Sequence, residues 1–237
     1  MRDPLYFRRF DYDRRLLPNA YLASLEEGVS SIDAARQKSG LSIGYPGWSL
    51  IYNLLLGSVP PGGAPVLMET GTNWGASTII IAQALADIGG DGVVHTFELN
   101  PAVQDVARRN IAQSGLSDRV IFHLGDSQET VPAFLESFDG ELAGAFLDGA
   151  HEASVLLAEF EAVRPKLRRG ALVFMDNTYP IAEPEKGDAP RVNQALPDLV
   201  SRHGGSLLNL PFVSWFTPGL AVWQGETPLD EGDWRLL

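Results

Sequence analysis

From Pro65 onward, short apolar segments alternate with segments of helical periodicity, and this alternation constrains the fold more than any other feature. Strands separated by helices favour a parallel sheet built with right-handed crossovers. Two last apolar segments, 206–211 and 219–225, are close enough to form an antiparallel hairpin. The sequence therefore predicts an α/β, doubly wound, mostly parallel seven-stranded sheet with a C-terminal antiparallel hairpin. The five earlier predicted strands are 65–69, 92–98, 119–124, 142–148 and 170–176, and the predicted helices are 76–87, 102–114, 129–136, 152–167 and 192–203.

Residues 1–60 have no strand alternation and predict an N-terminal helical extension ahead of the sheet domain at 61–237. Within it, segments 19–37 and 47–59 are each predicted to form a helix. No other role can be assigned to the first part of this extension. It is therefore the candidate contact of a homodimer.

Charge and cysteine content narrow the classes of partner. A net charge of -12 disfavours binding to nucleic acid or to an anionic membrane. The absence of cysteine excludes disulfides and thiolate metal sites, and it is typical of a cytoplasmic protein. The first 15 residues mix arginine with aspartate and lack the apolar stretch of a signal peptide. We therefore expect a cytoplasmic protein that binds neither nucleic acid nor a membrane.

The segment after the first predicted strand, Glu69 to Gly75, resembles the start of a nucleotide-binding unit. Its glycines, Gly71 and Gly75, are spaced more widely than the G-x-G-x-x-G that a dinucleotide pyrophosphate needs. This loop alone is equally compatible with a tight strand-to-helix turn. Glu98 ends the second strand, where a carboxylate can bind a ribose diol. The two features together favour an adenosine cofactor over NAD.

The third strand leads into Asp126, Ser127 and Gln128, which could contact an adenine edge or cap the next helix. The fourth strand ends at Asp148, and the fifth at Asp176 and Asn177. Neighbouring parallel strands bring these side chains to the same edge of the sheet. Two carboxylates and an amide suit a hard cation such as Mg²⁺, whereas each residue alone could simply begin a turn.

His151, three residues after Asp148, has three interpretations. It could act as a general base, because the pKa of histidine lies near neutrality. It could also be a further metal ligand or a residue that caps the following helix. The other three histidines have no predicted chemical role.

Taken together, "FELNP", "GDSQETVP", "FLDGAH" and "MDNTYP", in this order after the E-x-G-x-x-x-G loop, resemble class I S-adenosylmethionine-dependent methyltransferases with a Rossmann-like fold. The resemblance is strongest to the metal-dependent O-methyltransferases of the catechol and caffeoyl-CoA type and to related bacterial enzymes that act on sugars and natural products. It extends over about residues 45–223. It implies Asp148, Asp176 and Asn177 as Mg²⁺ ligands, and catalytic roles for Asp148 and His151. The cofactor contacts that it implies are Glu69, Gly71, Asn73, Gly75, Ser77, Glu98, Asp126, Ser127, Gln128 and Asp148.

One position departs from the catechol-type pattern, in which a lysine base follows the first metal aspartate by three residues. Here that position is His151, so a catechol or caffeoyl acceptor is less favoured than another hydroxyl compound. Three other hypotheses compete: a metal-independent methyltransferase, an NAD(P)-dependent oxidoreductase and a non-enzymatic binding protein. Segments 42–48 and 177–190 are predicted to cover the acceptor pocket, the second as a lid. The candidate aromatic walls are Tyr45, Trp48, Trp74, Tyr179 and Trp215.

Overall fold

The structure is a computed structural model that describes residues 12–40, 44–180, 187–213 and 218–225. These residues form eight α-helices and seven strands, together with short 3₁₀ turns. In chain order the elements are α1 (Ala20–Glu26), α2 (Ile32–Ser39), α3 (Gly47–Ser58), β1 (Val66–Thr70), α4 (Ala76–Ile88), β2 (Val93–Glu98), α5 (Pro101–Ser114), β3 (Val120–Leu124), α6 (Ser127–Ser137), β4 (Leu142–Leu147), α7 (Ala153–Val163), β5 (Leu167–Asp176), α8 (Val192–His203), β6 (Ser206–Val213) and β7 (Pro218–Gln224).

The seven strands form one sheet in the order β3-β2-β1-β4-β5-β7-β6. The first five of these are parallel, while β7 runs antiparallel to both β5 and β6. The predicted fold class is therefore confirmed. The order reverses between β1 and β4, and ligands of such sheets bind where this reversal occurs, outside the carboxyl ends of the strands.

Most predicted element bounds agree with the structure to within a few residues, but the helix predicted at 152–167 is too long. Helix α7 ends at Val163, and the chain continues as a 3₁₀ turn over Arg164–Lys166. Pro165 lacks the backbone N–H that a continuing α-helix requires. Strand β5 consequently begins at Leu167, three residues earlier than predicted.

The single helix predicted over 19–37 is also wrong, because two helices occupy this segment. Gly28 adopts a φ of 71° between them, and the Ser31 hydroxyl then caps α2 by accepting a hydrogen bond from the backbone N–H of Ala34. The break lets the extension fold back onto the sheet domain. Helix α1 contacts α5, where the Tyr21 hydroxyl donates to Asn110 Oδ1 over 2.7 Å.

Helices cover both faces of the sheet. One apolar core includes Ile51 and Leu55 of α3 together with the buried face of α4. The other includes Phe97 of β2, Phe160 of α7 and Leu199 of α8. Strand β4 is buried along its whole length. The carboxyl ends of β1, β4 and β5 are therefore held by packing on both sides. Among the described residues, no helix combines the length and apolar character needed to cross a membrane.

Candidate active site

The turns after β1 and β4 touch at Gly71. This residue has a φ of 77°, and a Cβ at this position would lie 1.8 Å from the carbonyl oxygen of Asp148. Gly75 has a φ of 87°, and a Cβ there would meet Ile111 of α5 at 3.3 Å. Packing of the protein on itself thus requires a glycine at Gly71, whereas at Gly75 it is mainly the positive φ that favours one. The tight strand-to-helix turn foreseen as one interpretation is present, and it brings Asp148 beside the glycine loop.

Glu69 is a fully buried carboxylate at the end of β1. Its Oε2 accepts hydrogen bonds from the hydroxyls of Thr78 and Thr96, while Oε1 has no hydrogen-bond partner among the described residues. Burial raises the pKa of Glu69 to about 7, against the lowering effect of the Ser77, Thr78 and Thr96 hydroxyls. A buried carboxylate oxygen without a partner is well suited to receive a cationic group of a ligand.

Glu98, at the end of β2, is held by backbone N–H groups on both of its oxygens. Asn73 donates to Oε2 and Asn100 donates to Oε1, each over 2.9 Å. Asn73 itself has a φ of 48°, and its side chain donates to the carbonyl of Gly40 over 2.7 Å. Each carboxylate oxygen keeps a further lone pair. Glu98 is therefore oriented to accept hydrogen bonds from a ligand diol.

Three residues in the turn after β3 were predicted to contact adenine, and two of them form hydrogen bonds to other groups of the protein. Asp126 caps α6, because its Oδ1 accepts from the backbone N–H of Gln128 over 2.9 Å. Ser127 donates its hydroxyl proton to Oε1 of Glu159 over 2.6 Å. Gln128 is exposed. The side chain with most freedom to reach a ligand in this turn is therefore Gln128, and Ser127 can contribute only its lone pairs and backbone.

Asp148, Asp176, Asn177 and His151 converge at the ends of β4 and β5. Asn177 Nδ2 lies 3.2 Å from Asp148 Oδ1, and His151 Nε2 lies 3.5 Å from the same oxygen. Asp176 and Asn177 are buried, whereas the side chain of Asp148 is 21% exposed and that of His151 is 37% exposed. Asn177 adopts a φ of 58°, a conformation that asparagine tolerates better than most residues. The group thus has a buried floor and an open side.

The two aspartates of this group are electrostatically unfavourable as a pair. Burial raises the pKa of Asp148, opposed by hydrogen bonds from His151 and Asn177. Burial, and then the charge of Asp148, raise the pKa of Asp176 well above its ordinary value. Asp176 Oδ1 is buried and has no hydrogen-bond partner among the described residues. A cation bound between these carboxylates would relieve both penalties.

The donor set suits a hard cation once the amide of Asn177 has turned. Within the described part of the chain, no group of three or more His, Cys, Asp or Glu residues could hold a metal. A site here would consist of two carboxylates and the amide oxygen of Asn177, completed by water or substrate, as Mg²⁺ sites commonly are. The amide nitrogen of Asn177 now faces Asp148, so the amide must turn to present its oxygen.

Glu159 of α7 is a buried polar residue that the sequence interpretation missed. It is 2% exposed, and burial raises its pKa to about 7, against the lowering effect of its hydrogen bonds to Ser127 and Thr70. Its place in the sequence carried a signal. Glu159 lies on the apolar face of α7 beside Leu156 and Phe160, where a charged residue requires a specific partner.

Three of the predicted aromatic walls pack within the protein. Trp48 is buried, Tyr45 stacks on Tyr12 with ring centroids 5.2 Å apart, and a Cβ on Gly40 would meet the Trp74 ring at 2.6 Å. All three therefore pack against residues of the N-terminal extension. Tyr179 is half-buried just after Asn177. Trp215, residues 42–43 of the first covering segment and residues 181–186 of the predicted lid lie outside the described residues.

A cavity of about 280 Å³ lies between α8 and β6. Thr178 and Asn209 contribute to its wall, and the Thr178 hydroxyl donates to Asn209 over 2.8 Å. Asp148, His151 and Asp176 are not among its lining residues. This cavity is therefore separate from the cluster at the strand ends.

Comparison with known proteins identifies the family. The family described as "Methyltransferase domain" matches residues 68–178, from β1 to the residue after Asn177. Catechol O-methyltransferase from Mycobacterium tuberculosis is 31% identical over 163 residues, which are 67% of this chain and 68% of that protein. The chain belongs to the class I S-adenosylmethionine-dependent O-methyltransferases. The predicted methyltransferase is thus confirmed, and the NAD(P)-dependent oxidoreductase is excluded.

This methyltransferase shares its fold with solved O-methyltransferases. One is the O-methyltransferase from Bacillus cereus in complex with SAH, with a TM-score of 0.69, 21% identity, and coverage of 88% of this chain and 91% of that chain. TomG from Streptomyces achromogenes, involved in tomaymycin synthesis and solved with SAM, has a TM-score of 0.70, 21% identity and the same coverage. A third is described as a putative caffeoyl-CoA O-methyltransferase from Staphylococcus aureus, with a TM-score of 0.63, 22% identity and coverage of 86% and 98%.

Proposed function

We propose that this methyltransferase transfers a methyl group from S-adenosylmethionine to a hydroxyl of a small molecule with the help of a divalent cation held by Asp148, Asp176 and Asn177. The proposal is supported by the position of the two carboxylates and the amide at the carboxyl ends of β4 and β5, beside the glycine loop. His151 Nε2 lies 3.5 Å from Asp148 Oδ1 in the same group. The raised pKa of both aspartates, which burial causes, supports a cation at this position.

The cofactor would bind along the ends of β1, β2 and β3. Glu69, whose Oε1 has no described partner, would face the ammonium group of the methionine part. Glu98 would accept hydrogen bonds from the ribose hydroxyls. Leu99 and Leu124 are 68% and 52% exposed at the ends of β2 and β3, and they offer apolar surface to the adenine ring beside Gln128. S-adenosylmethionine, when bound, supplies a sulfonium methyl group that an oxygen nucleophile displaces.

The acceptor would bind at the open side of the cluster, next to His151. A divalent cation there would supply Lewis-acid stabilisation of a developing oxyanion. His151 takes the proton of the acceptor hydroxyl, and the Asp148 carboxylate orients its ring and stabilises the imidazolium that this transfer produces. The rest of the protein contributes alignment of acceptor and methyl donor, which is worth most when both are held rigidly.

His151 bears on the class of acceptor. A histidine stands where the catechol-type enzymes have a lysine, and this favours sugar or natural-product hydroxyls over catechols. The acceptor panel for a first assay should therefore contain a catechol, a simple phenol and a sugar hydroxyl, with methyl transfer followed by mass spectrometry of the product.

A second candidate function is methyl transfer without a metal. It is favoured by the amide nitrogen of Asn177, which donates toward Asp148 and so partly satisfies that carboxylate without a cation. In this case the pair of Asp148 and His151 alone would remove the proton.

Chelation separates the two functions. The protein is treated with EDTA, desalted, and assayed with labelled S-adenosylmethionine before and after addition of Mg²⁺ or Mn²⁺. Metal-assisted transfer predicts loss of turnover on chelation and recovery with the cation, at unchanged binding of S-adenosylhomocysteine. Turnover that is insensitive to EDTA and to added cation would favour the metal-free function instead.

A further inference from the structure

Glu159 makes hydrogen bonds to two separate turns of the site. Its Oε1 accepts from Ser127 in the turn after β3 over 2.6 Å. Its Oε2 accepts from Thr70 at the end of β1 over 3.0 Å. The residue is 2% exposed, so both bonds lie in a region where solvent cannot replace them.

The second bond continues to Asp148. Thr70 Oγ1, which donates to Glu159, also accepts from the backbone N–H of Asp148 over 3.1 Å. The next residue packs on the same carboxylate, since a Cβ on Gly149 would lie 2.4 Å from Glu159 Oε1. The turn after β4 therefore rests on Glu159 both through Thr70 and by direct contact.

We propose that Glu159 is a positioning residue that holds the cofactor turn at Ser127 and the acceptor turn at Asp148 in one fixed relation. The proposal rests on the proposed function, since it gives Asp148 a role at the acceptor. The two turns belong to different strands, and each holds one of the two reactants. Methyl transfer needs donor and nucleophile aligned closely, and small displacements of such a pair are costly in rate.

A residue that serves only the stability of the fold would behave differently. Its loss would lower the melting temperature and the yield of folded protein, but the folded fraction would keep its affinity and its turnover number. Loss of a positioning residue changes both the cofactor affinity and the turnover number of the folded fraction. A substituted side chain that forms the same hydrogen bonds restores both values.

The first test compares Glu159→Leu with Glu159→Gln. Glutamine can keep both bonds, with its carbonyl oxygen accepting from Thr70 and its amide nitrogen donating to Ser127. We expect Glu159→Leu to lower kcat and to weaken S-adenosylhomocysteine binding, each by about 10- to 100-fold, the range found when a group that orients a metal-binding side chain is removed. We expect Glu159→Gln to stay within about 3-fold of wild type in both. Calorimetry gives the affinity and steady-state assays give kcat and KM.

The second test removes one hydrogen bond of Glu159 at a time. It can therefore be carried out even if Glu159→Leu does not fold. Thr70→Val removes the link to Asp148, and Thr70→Ser is its matched control with the hydroxyl kept. We expect Thr70→Val to speed amide hydrogen exchange at Asp148 and to lower kcat about 10-fold, with S-adenosylhomocysteine affinity nearly unchanged. Ser127→Ala should weaken that affinity without faster exchange at Asp148.

Two results would overturn the positioning role: Glu159→Leu with wild-type kcat and affinity in the folded fraction, or exchange at Asp148 that is equal in Thr70→Val and Thr70→Ser. Hydrogen exchange and S-adenosylhomocysteine affinity are both measured without added metal or acceptor. A failure of the proposed metal-assisted chemistry would leave these two readouts intact, so the two failures can be told apart.

Discussion

Replacement of Glu69 by glutamine should make the stability of the protein less dependent on pH. Glu69 is fully buried, and its pKa is raised to about 7 from 4.5, with burial as the largest cause. Between these two pH values the folded state binds more protons than the unfolded state, so stability is lost as pH rises through this window. Glutamine has nearly the same shape and cannot ionise.

The magnitude follows from the shift. At roughly 1.4 kcal/mol for each pKa unit, a rise from 4.5 to about 7 costs the wild type on the order of 3 kcal/mol of unfolding free energy above pH 7. The Glu69→Gln protein does not lose this stability, because glutamine does not ionise. It does carry a constant penalty of about 1–3 kcal/mol, because its amide nitrogen would replace an oxygen that has no described partner.

Urea unfolding of the ligand-free protein at several pH values between 4.5 and 8.5 measures this difference. The stability of Glu69→Gln relative to wild type should increase by roughly 3 kcal/mol across that range. Glu141→Gln, at an exposed position, is the matched control. A relative stability of Glu69→Gln that does not change with pH would refute the reasoning, since it would mean that Glu69 is not held protonated in the fold.

Other predictions concern the chemistry and the turns of the site. Asp148→Ala and Asp176→Ala should each abolish turnover and leave S-adenosylhomocysteine binding measurable by calorimetry. A wild-type rate in either variant would rule out the assignment of these aspartates as metal ligands. His151→Ala should lower kcat by roughly 10²–10⁴-fold if it is the base, and an unchanged rate would exclude it as the base. Gly71→Ala should destabilise the protein by several kcal/mol more than Gly62→Ala in urea unfolding. Both residues have positive φ, but a Cβ meets a carbonyl oxygen at 1.8 Å only at Gly71, and nothing within 4 Å at Gly62. Equal losses would show that backbone conformation alone requires Gly71.

The sequence predicted the cluster at the strand ends because its residues share one topological cause. Asp148 and Asp176 each follow a strand of the parallel sheet, and parallel neighbours end at the same edge. Glu98 was predicted for the same reason. Local order in the chain was therefore enough to bring these residues together, once the alternation of strands and helices had been recognised.

What the sequence did not reveal depends on packing between distant elements. Glu159 meets Ser127 and Thr70 only because α7 lies against the ends of β1 and β3. The contact between Gly71 and the turn after β4 was also not foreseen: a Cβ at Gly71 would meet the carbonyl oxygen of Asp148. The two omissions have the same origin, because a spacing along the chain identifies a turn but not the groups that other elements contribute to it.

The most direct test of the proposed function is the binding of Mn²⁺, a spectroscopic substitute for Mg²⁺, to the protein saturated with S-adenosylhomocysteine. Titration followed by electron paramagnetic resonance counts the bound ions without any need for an acceptor. We predict one Mn²⁺ site per chain that is lost in Asp176→Ala and retained in the control Glu141→Gln. Absence of a site in the wild type, or the same binding in Asp176→Ala, would contradict the assignment of Asp148, Asp176 and Asn177 as the metal ligands.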